Sequence, residues 1–594
     1  MKYAKRIKQL VLLLLIGFAI LIFFKGFYIY RFRSLKRLPE QVYLSSDYYD
    51  YRGIIHCHSI HSDGSGSIEE IMEAANKEEL NFLILTDHDT RQTLKEGRDG
   101  WYGDCLLLIG EEISTFAGHY LGLNIPPAAF KFSPQAQAAI DDVNELGGFG
   151  IIAHPFSRSK LYWHDWSVER FQGMELINID SQWRDEPPYR LLWLLLTYKL
   201  NPRYSLLSTF DYPAPNLTKW DQLNKKRAII GIAGTDAHQN ISLFNGLKLK
   251  FPSYSNLFSL AQVHILTPQP MVKKKKVDRE NVYAALKRGN CYICIEGLAE
   301  SSGFVFQAQC QGEKAIIGDS LLLQNSAELT IIHSFPAEAE LILIKDGKPI
   351  VSSLRKQLRY RADKPGVYRV EIWPPQHYLP KGKRFPWIIS NPIYLREKEV
   401  ISEKAQLNRL AVPAAKYEYW RLMLEDFEQF SRKSSFKLEH DTSSYIDEDN
   451  ITDNDTPTES SSKSLLMSFR LGKIGEGKKE VWCALGERSR RDLSGYQGIS
   501  FYAKGDKTYR LSFQLREEDA AGGEEKMEQW EISVKIRPNW EKKTILFNEL
   551  YLVSKNTNGK REPNRIKGIF FILDQSNTHP STEGKIWLDD ICFF

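Results

Sequence analysis

The sequence predicts a multidomain protein: an α/β barrel, two all-β sandwich domains after it, and a transmembrane helix in front. Three observations predict this order. An uninterrupted apolar run, Leu10 to Phe24, opens the chain between basic residues. From Gly53 to about Gly234 short apolar strands alternate with amphipathic helices, and from about residue 301 period-two segments replace the helical period. At 594 residues the chain exceeds what one hydrophobic core sustains, so several domains are expected. The divisions read from composition are residues 1–40 (signal anchor and juxtamembrane segment), 45–300 (barrel), 301–400 (small β sandwich) and 416–594 (a further β-rich unit).

The anchor comes first. Lys2, Lys5, Arg6 and Lys8 precede the apolar run, and Lys25, which can snorkel, follows it. Phe27, Tyr28 and Tyr30 suit an interface belt, so the span reaches the ~20 residues a bilayer requires. No small-x-small cleavage site follows, which favours a retained anchor over a cleaved signal peptide. Arg31, Arg33, Lys36 and Arg37 balance the N-terminal charges, so orientation is weakly encoded. The expected arrangement is single-pass, with the catalytic part extracytoplasmic.

Composition is that of an ordinary globular chain, 42% hydrophobic and 26% charged. The formal charge of +5 partly belongs to the membrane flanks, which argues against sequence-specific nucleic-acid binding. The seven cysteines lack the regular spacing of a disulfide framework, and Cys291-Tyr-Ile-Cys294 reads as strand.

In the barrel region the apolar runs are RGIIHCH, NFLILTDHD, CLLLIGEE, HYLGL, FGIIAHP, GMELIN and RAIIGIAGTDAH. Strands alternating with helical patterns predict parallel βα units, and seven or eight closing on themselves make a barrel whose functional residues sit at the C-terminal strand ends. Imidazoles and carboxylates do fall there: His56, His58, Asp63, His88, Glu112, His119, His154, Asp236 and His238. Eight of the thirteen histidines lie between positions 56 and 238. In His56-Cys-His58 and Asp236-Ala-His238 the polar pair is separated by one residue, which on a strand puts both on one face. Imidazoles and carboxylates left unpaired at a barrel mouth are unfavourable by a few kcal/mol, and a divalent cation removes that cost. A nitrogen and oxygen donor set without thiolate suits Zn, Mn or Fe, and nine such groups are too many for one tetrahedral ion. Two or three divalent metal ions sharing a bridging carboxylate is the economical reading.

The ordered set HCHSIHSDG, TDHDT, GEEIS with GHYLGL, IIAHP and GTDAH resembles the successive motifs of the polymerase and histidinol phosphatase (PHP) family of metal-dependent phosphoesterases. That resemblance implies a distorted (β/α)7 barrel. It also implies one metal held by His56, His58, Glu112 and Asp236, a second by bridging Glu112 with His119 and His154, and a third by Asp63, His88 and His238. Glu112 is preferred over Glu111 by its offset from the glycine. Asp87, directly before His88, is read as orienting an imidazole, and Arg158 or Lys160 as meeting phosphoryl oxygens. Asp63 also fits an ordinary Ser-Asp-Gly turn.

After the barrel, AELTIIHSF, AELILIKDG and GVYRVEIW read as sandwich strands, and FPWIISNPIYL as packing against the barrel. ISFYAKG, YRLSFQLRE, WEISVKIRP, GIFFILD and GKIWLDDICFF build the last unit, interrupted by an acidic stretch at 440–464 read as a mobile loop. LEDFE, DLSGYQGISFYAKG and KIWLDDICFF resemble galactose-binding-like jelly rolls of carbohydrate-binding modules and of the complex I intermediate-associated family. Tyr502, Trp530, Trp540 and Trp587 are candidates for stacking on sugar rings, against the alternative that they are core. Asp426, Glu428 and Asp589 are candidates for a structural calcium site.

The expected activity is hydrolysis of a phosphomonoester or phosphodiester, in a phosphorylated small molecule or nucleotide, by a metal-bridged hydroxide in a di- or trinuclear site. Two alternatives stay open. An amidohydrolase also opens with His-x-His but usually uses a bridging modified lysine, and none stands at a predicted strand end here. A membrane-anchored glycan-binding protein with an inactive barrel would be expected to have lost some of these ligands.

Overall fold

Capping and apolar patterning shape the local elements. In the helix Ile68–Lys77, Ser67 accepts from the Glu70 amide while the Glu70 side chain returns to the Ser67 amide, closing both orphan donors of the first turn. Its apolar stripe Ile68, Ile71, Met72 and Ala75 is buried. The strand Phe82–Leu85 is apolar at every position and buried at every position, as a strand covered on both faces must be.

The computed structural model describes residues 26–33, 35, 48–128, 130–158, 162–242, 248–397, 422–431, 433–474, 480–518, 527–554 and 557–594. They divide into two compact units, one of 1–126 with 135–402, the other of 127–134 with 403–594. The apolar run Leu10–Phe24 lies outside the described residues, and among those described no helix is long and apolar enough to cross a membrane.

Before residue 230 the described helices of the first unit are α1 (residues 26–31), α2 (Ile68–Lys77), α3 (Gln92–Lys95), α4 (Ala136–Glu145), α5 (Ile179–Arg184), α6 (Pro188–Tyr198), α7 (Pro202–Leu207) and α8 (Ala214–Asn224). The strands that frame the candidate site are β1 (Tyr49–Ile55), β2 (Phe82–Leu85), β3 (Gly100–Tyr102), β4 (Cys105–Ile109), β5 (Glu111–Thr115), β6 (Gly118–Leu123), β7 (Phe149–Ile152), β8 (Gly173–Asn178) and β9 (Ile230–Gly234). β1, β2 and β4 pair in parallel, and so do β7, β8 and β9. Chain beyond β9 closes against chain beyond β1: Thr235 N–H donates to Ile55 O at 3.0 Å, Asp236 N–H to His56 O at 2.7 Å and His58 N–H to Ala237 O at 3.0 Å. β4 passes into β5 through Gly110, and a parallel bridge of His88 with Glu112 links that edge back to β2. The strands thus form a seven-membered ring when β4 and β5 count as one bent strand.

One member of the ring departs from the expected parallel order. β6 runs antiparallel to both β5 and β7. Only Phe116 and Ala117 separate β5 from β6, enough for a hairpin and far too few for a parallel crossover. The turn also brings His119 back beside Glu112, which a helical crossover would have placed a strand further round.

The expected boundary near residue 300 does not interrupt the sheet. β1 pairs antiparallel with Gln262–Thr267, that strand with Cys291–Cys294, and Cys291–Cys294 with Ile388–Ser390, which in turn pairs with Gly366–Trp373. A separate four-stranded antiparallel sheet joins Glu313–Ile316, Val305–Cys310, Ala327–Ile332 and Gln357–Ala362. Asn391, in the FPWIISNPIYL run, ties this region to the ring. Its Oδ1 accepts from Gly231 N–H at 2.8 Å and its Nδ2 donates to Gly231 O at 2.8 Å and Cys291 O at 2.9 Å.

The second unit is a pair of antiparallel sheets enclosing one core that includes Phe436, Phe501, Phe513, Phe571 and Phe593. The stretch 440–464 is not a bare loop: residues Tyr445–Ile446 and Thr452–Asp453 are short edge strands paired with Ser464–Arg470. Two of the aromatic residues proposed for sugar stacking clasp it, with Trp587 Nε1 donating to Asp453 at 2.9 Å and Trp540 Nε1 to Asp455 at 2.8 Å. Trp530 packs on the core, and Lys542 sits over the Tyr502 ring.

Truncating Asn391 removes a side chain that meets both backbone groups of Gly231. Asn391→Ala is expected to destabilise the first unit by about 2 kcal/mol, the cost of buried groups left unpaired, seen by calorimetry as a lowered thermal midpoint. An unchanged midpoint contradicts this assignment.

Candidate metal centre

The nine candidate ligands come from six separate strand ends, and the ring brings them together around Glu112. Its carboxylate is fully buried and faces imidazoles from both oxygens. Oε2 lies 2.9 Å from His56 Nε2, 3.0 Å from His58 Nε2 and 3.4 Å from His88 Nδ1. Oε1 lies 2.7 Å from His119 Nδ1 and 3.1 Å from His154 Nε2. Asp236 Oδ1 stands 3.2 Å from His58 Nε2 and 3.4 Å from His56 Nε2. At the outer edge, Asp63 Oδ1 stands 3.1 Å from His238 Nε2 and 3.8 Å from both His58 and His88.

Three groups have ligand atoms within 4.8 Å of one another: His56, His58, Glu112 and Asp236; His88, Glu112 and His119; and His58, Asp63, His88 and His238. The first coincides with the set expected from the motifs. The other two share His88 and bring in His58, and His154 meets Glu112 from beside His119 rather than inside either group. Glu111 faces elsewhere, with Oε2 at 2.7 Å from Arg91 Nε.

The backbone is bent to achieve this. His56, His154 and Asp236 adopt positive φ of 71°, 26° and 53°. Such conformations cost non-glycine residues on the order of 1 kcal/mol or more and persist where the surroundings over-determine them. The Cys57 thiol, between two ligands, points instead to the carbonyls of His58 and Ala237, so no thiolate enters the donor set.

The donors fit a set of divalent cations. Both ring nitrogens of His58 and Nδ1 of His154 are buried without a hydrogen-bond partner. Ring nitrogens buried beside carboxylates without an aligned hydrogen bond suit a cation between the two, which would take both lone pairs. Nitrogen and carboxylate oxygen suit Mn, Zn or Fe.

Asp87 orients no imidazole. Its carboxylate accepts from Ser59 N–H at 2.7 Å and from the hydroxyls of Ser59 and Ser62 at 2.7 and 2.6 Å. It therefore fixes the loop between His58 and Asp63. The residue that does orient an imidazole is Glu175 on β8, which the motif reading passed over. Its Oε1 lies 2.6 Å from His56 Nδ1, and its Oε2 accepts from His154 N–H at 2.6 Å and Asn178 Nδ2 at 2.9 Å. A carboxylate on the far nitrogen fixes the tautomer that aims Nε2 inward. The signal was present in GMELIN, where one acid interrupts an otherwise apolar strand. Gly234 makes room for it, since a Cβ there would stand 1.7 Å from Glu175 Oε1.

A cavity of about 490 Å³ opens beside His154, walled by Asn178 and by α5, α6 and α8. Arg158 lines it, exposed, with its amide at 2.8 Å from Asp185 Oδ2, and Arg190 lines it paired with Glu186. Lys160 lies outside the described residues.

Without cations the charges match internally. Burial alone would strip His56 of its proton, but Glu112, Asp236 and Glu175 outweigh it and hold the ring well above the usual range. Burial is likewise outweighed at His154 by Glu112 and at His238 by Asp236 and Asp63, pushing both up to about 9. Burial would keep Glu112 and Asp236 protonated, yet the surrounding imidazoles hold both well below the carboxylate range.

In the second unit Asp426, Glu428 and Asp589 gather into no comparable group among the described residues. Glu428 accepts from the Ser462 amide at 2.6 Å, and Asp589 from the Ser461 hydroxyl at 2.7 Å.

No known protein-family profile matches the chain, and no curated protein does. Among solved structures it is similar to a two-domain protein from Bacteroides vulgatus described as containing a predicted PHP-like metal-dependent phosphoesterase. That match has 13% identity, 60% of this chain and 99% of that chain covered, and a TM-score of 0.27. It is also similar to a family 11 carbohydrate-binding module from Clostridium thermocellum in complex with a β-1,3-1,4-mixed-linked tetrasaccharide. Here identity is 17%, with 29% of this chain and 95% of that chain covered and a TM-score of 0.23. Likenesses this distant carry no inference, and the functional reading rests on the geometry above.

Two outcomes are expected of this centre. Glu175→Gln should lower metal affinity roughly 10–100-fold with the ligands themselves intact, measured by chelator competition; unchanged affinity contradicts its role. Metal ligation requires unprotonated imidazoles, so loading at pH 7 must expel the protons of His56, His154 and His238. The same raised pKa values stabilise the metal-free protein fully below about 6.5, the unfolded value, and that contribution fades as pH rises through about 9. Calorimetric titration with chelator-buffered Mn in buffers of different ionisation enthalpy should show proton release at pH 7 and less at pH 9.5. No buffer dependence at pH 7 contradicts the matched-charge state.

Proposed function

We propose that the first unit is a metal-dependent hydrolase acting on phosphoesters of small molecules or nucleotides, held at a membrane by Leu10–Phe24 with its catalytic part extracytoplasmic. The observation that carries the reading is Glu112, a buried carboxylate whose two oxygens face separate sets of imidazoles. Divalent cations bound there supply Lewis acidity and lower the pKa of coordinated water toward neutrality, the chemistry that phosphoester cleavage needs.

The chain's own residues supply the rest. Glu175 fixes the His56 ring, and Asp87 fixes the loop from His58 to Asp63. Glu112, His56 and His58 form a floor closed to solvent, while Asp63, half exposed, marks the side open to substrate. The cavity beside His154 gives the organic part of an ester a place to lie. Arg158 and Arg190 stand on its wall among Asp185, Glu186 and Asp211, with Arg190 paired to Glu186.

The test is phosphate or p-nitrophenol release from p-nitrophenyl phosphate and bis-p-nitrophenyl phosphate by the full chain supplied with Mn or Zn. Activity should require added metal after chelation. His58→Ala, Glu112→Gln and Asp236→Asn should each lower kcat/KM roughly 1,000-fold or more, the several kcal/mol that metal assistance contributes. Hydrolysis of amides alone, or turnover that survives Glu112→Gln, contradicts the reading.

A further inference from the structure

The helix α6, PYRLLWLLLTY, is turned inside out for a helix on a water-facing surface. Leu194 and Thr197 are its buried residues, while Tyr189, Leu192, Trp193, Leu195 and Leu196 are exposed, Leu192 by 59% and Leu196 by 63%. Leu200, just past its end, is also exposed. Positions 189, 192, 193, 196 and 200 follow helical spacing, so they form one continuous apolar stripe. Fully burying one such leucine is worth about 1.5–3 kcal/mol, and a stripe of several marks a surface that meets something apolar.

What it meets is indicated by its neighbour. α1 begins at Gly26, two residues after the apolar run ends at Phe24, and it is fixed beside α6 and α7. Asn201 Nδ2 donates to Ile29 O at 3.0 Å and to Phe32 O at 2.7 Å, and the Tyr204 ring meets Tyr28 and Phe32 at centroid distances of 5.9 and 5.3 Å. A Cβ on Gly26 would stand 3.9 Å from Leu200. Phe27, Tyr28 and Tyr30 are exposed on α1, as are Arg31 and Arg33. Two residues of chain span at most about 7 Å, so a bilayer crossed by the apolar run ends within that distance of Gly26, which stands beside Leu200 at the end of the stripe. Exposed aromatic residues with arginines at their edge are the composition of a surface lying in the lipid headgroup region.

We infer that the outward face of α6, continued by α1, docks into the lipid surface of the membrane, so that the catalytic unit lies on the bilayer rather than swinging from its anchor. This rests on the anchor reading given above. It has a geometric corollary: Tyr189 and Arg190, in the first turn of the same helix, line the cavity beside His154.

The experiment uses the full chain reconstituted in vesicles of phosphatidylcholine and phosphatidylglycerol at three to one. All seven native cysteines are buried, so a nitroxide label can be directed to Leu196→Cys or Leu192→Cys, with Leu354→Cys, exposed on the same unit, as the aqueous reference. Two positions guard against one variant misfolding. The expected result is collision with oxygen exceeding collision with a water-soluble nickel chelate at 192 and 196, and the reverse at 354. Chelate access at 192 and 196 matching 354 overturns the inference while leaving the anchor intact. So does an immobilised label shielded from both reagents, the signature of cover by a second copy or by the chain's own apolar run. A chain that does not float with the vesicles overturns both the anchor and the docking.

Discussion

A carboxylate taken out of water must be matched by positive charge, and the Glu112 side chain sets that demand at the centre of the ring. Five imidazoles approach its two oxygens at 2.7 to 3.4 Å. Either the His56 and His154 rings carry protons or cations stand between the imidazoles and the acid; a neutral, empty arrangement would leave a buried charge uncompensated at a cost of several kcal/mol. Glu175 and Asp236 extend the same logic, each adding negative charge where more imidazoles converge. The centre is therefore bistable in composition, with protons and divalent ions competing for one set of lone pairs.

The surrounding fold serves that constraint. Each ligand sits where a strand of the ring ends, and three of them hold left-handed backbone that ordinary packing would not impose. The hairpin into β6 carries His119 across to Glu112, and the backbone bonds between the chain beyond β1 and the chain beyond β9 place His56, His58, Asp236 and His238 on one floor. Asn391 and the sheet that continues through Cys291–Cys294 brace the outside of β9. The helices α5 to α8, inserted between β8 and β9, serve two ends at once: they wall the cavity, and they carry the apolar stripe next to α1.

The ligand set was legible because strand-end residues spaced by two must share a face, a rule that needs no tertiary information. His56 with His58 and Asp236 with His238 do reach one pocket, but they lie past the ends of β1 and β9, and the left-handed backbone at His56 and Asp236 rather than strand alternation turns them there. Glu175 was not legible in the same way: it stands mid-strand in GMELIN, without a histidine beside it, and its importance comes from a partner 119 positions away. The role assigned to Asp87 failed for a related reason, since adjacency to His88 says nothing about which way a carboxylate points once Ser59 and Ser62 offer nearer donors. The antiparallel β6 could have been read from the two-residue gap before it. The run 440–464 was misjudged because polar composition was taken to imply freedom, whereas Trp540 and Trp587 pin two of its aspartates.

Under the proposed function Glu112 would be shared between two ions. Low-temperature electron paramagnetic resonance of the Mn-loaded full chain reads this most directly. The account predicts the signature of exchange-coupled Mn ions at saturating metal, lost on Glu112→Gln in favour of isolated-ion spectra. Isolated-ion spectra from the first equivalent through saturation in the unaltered protein would contradict it.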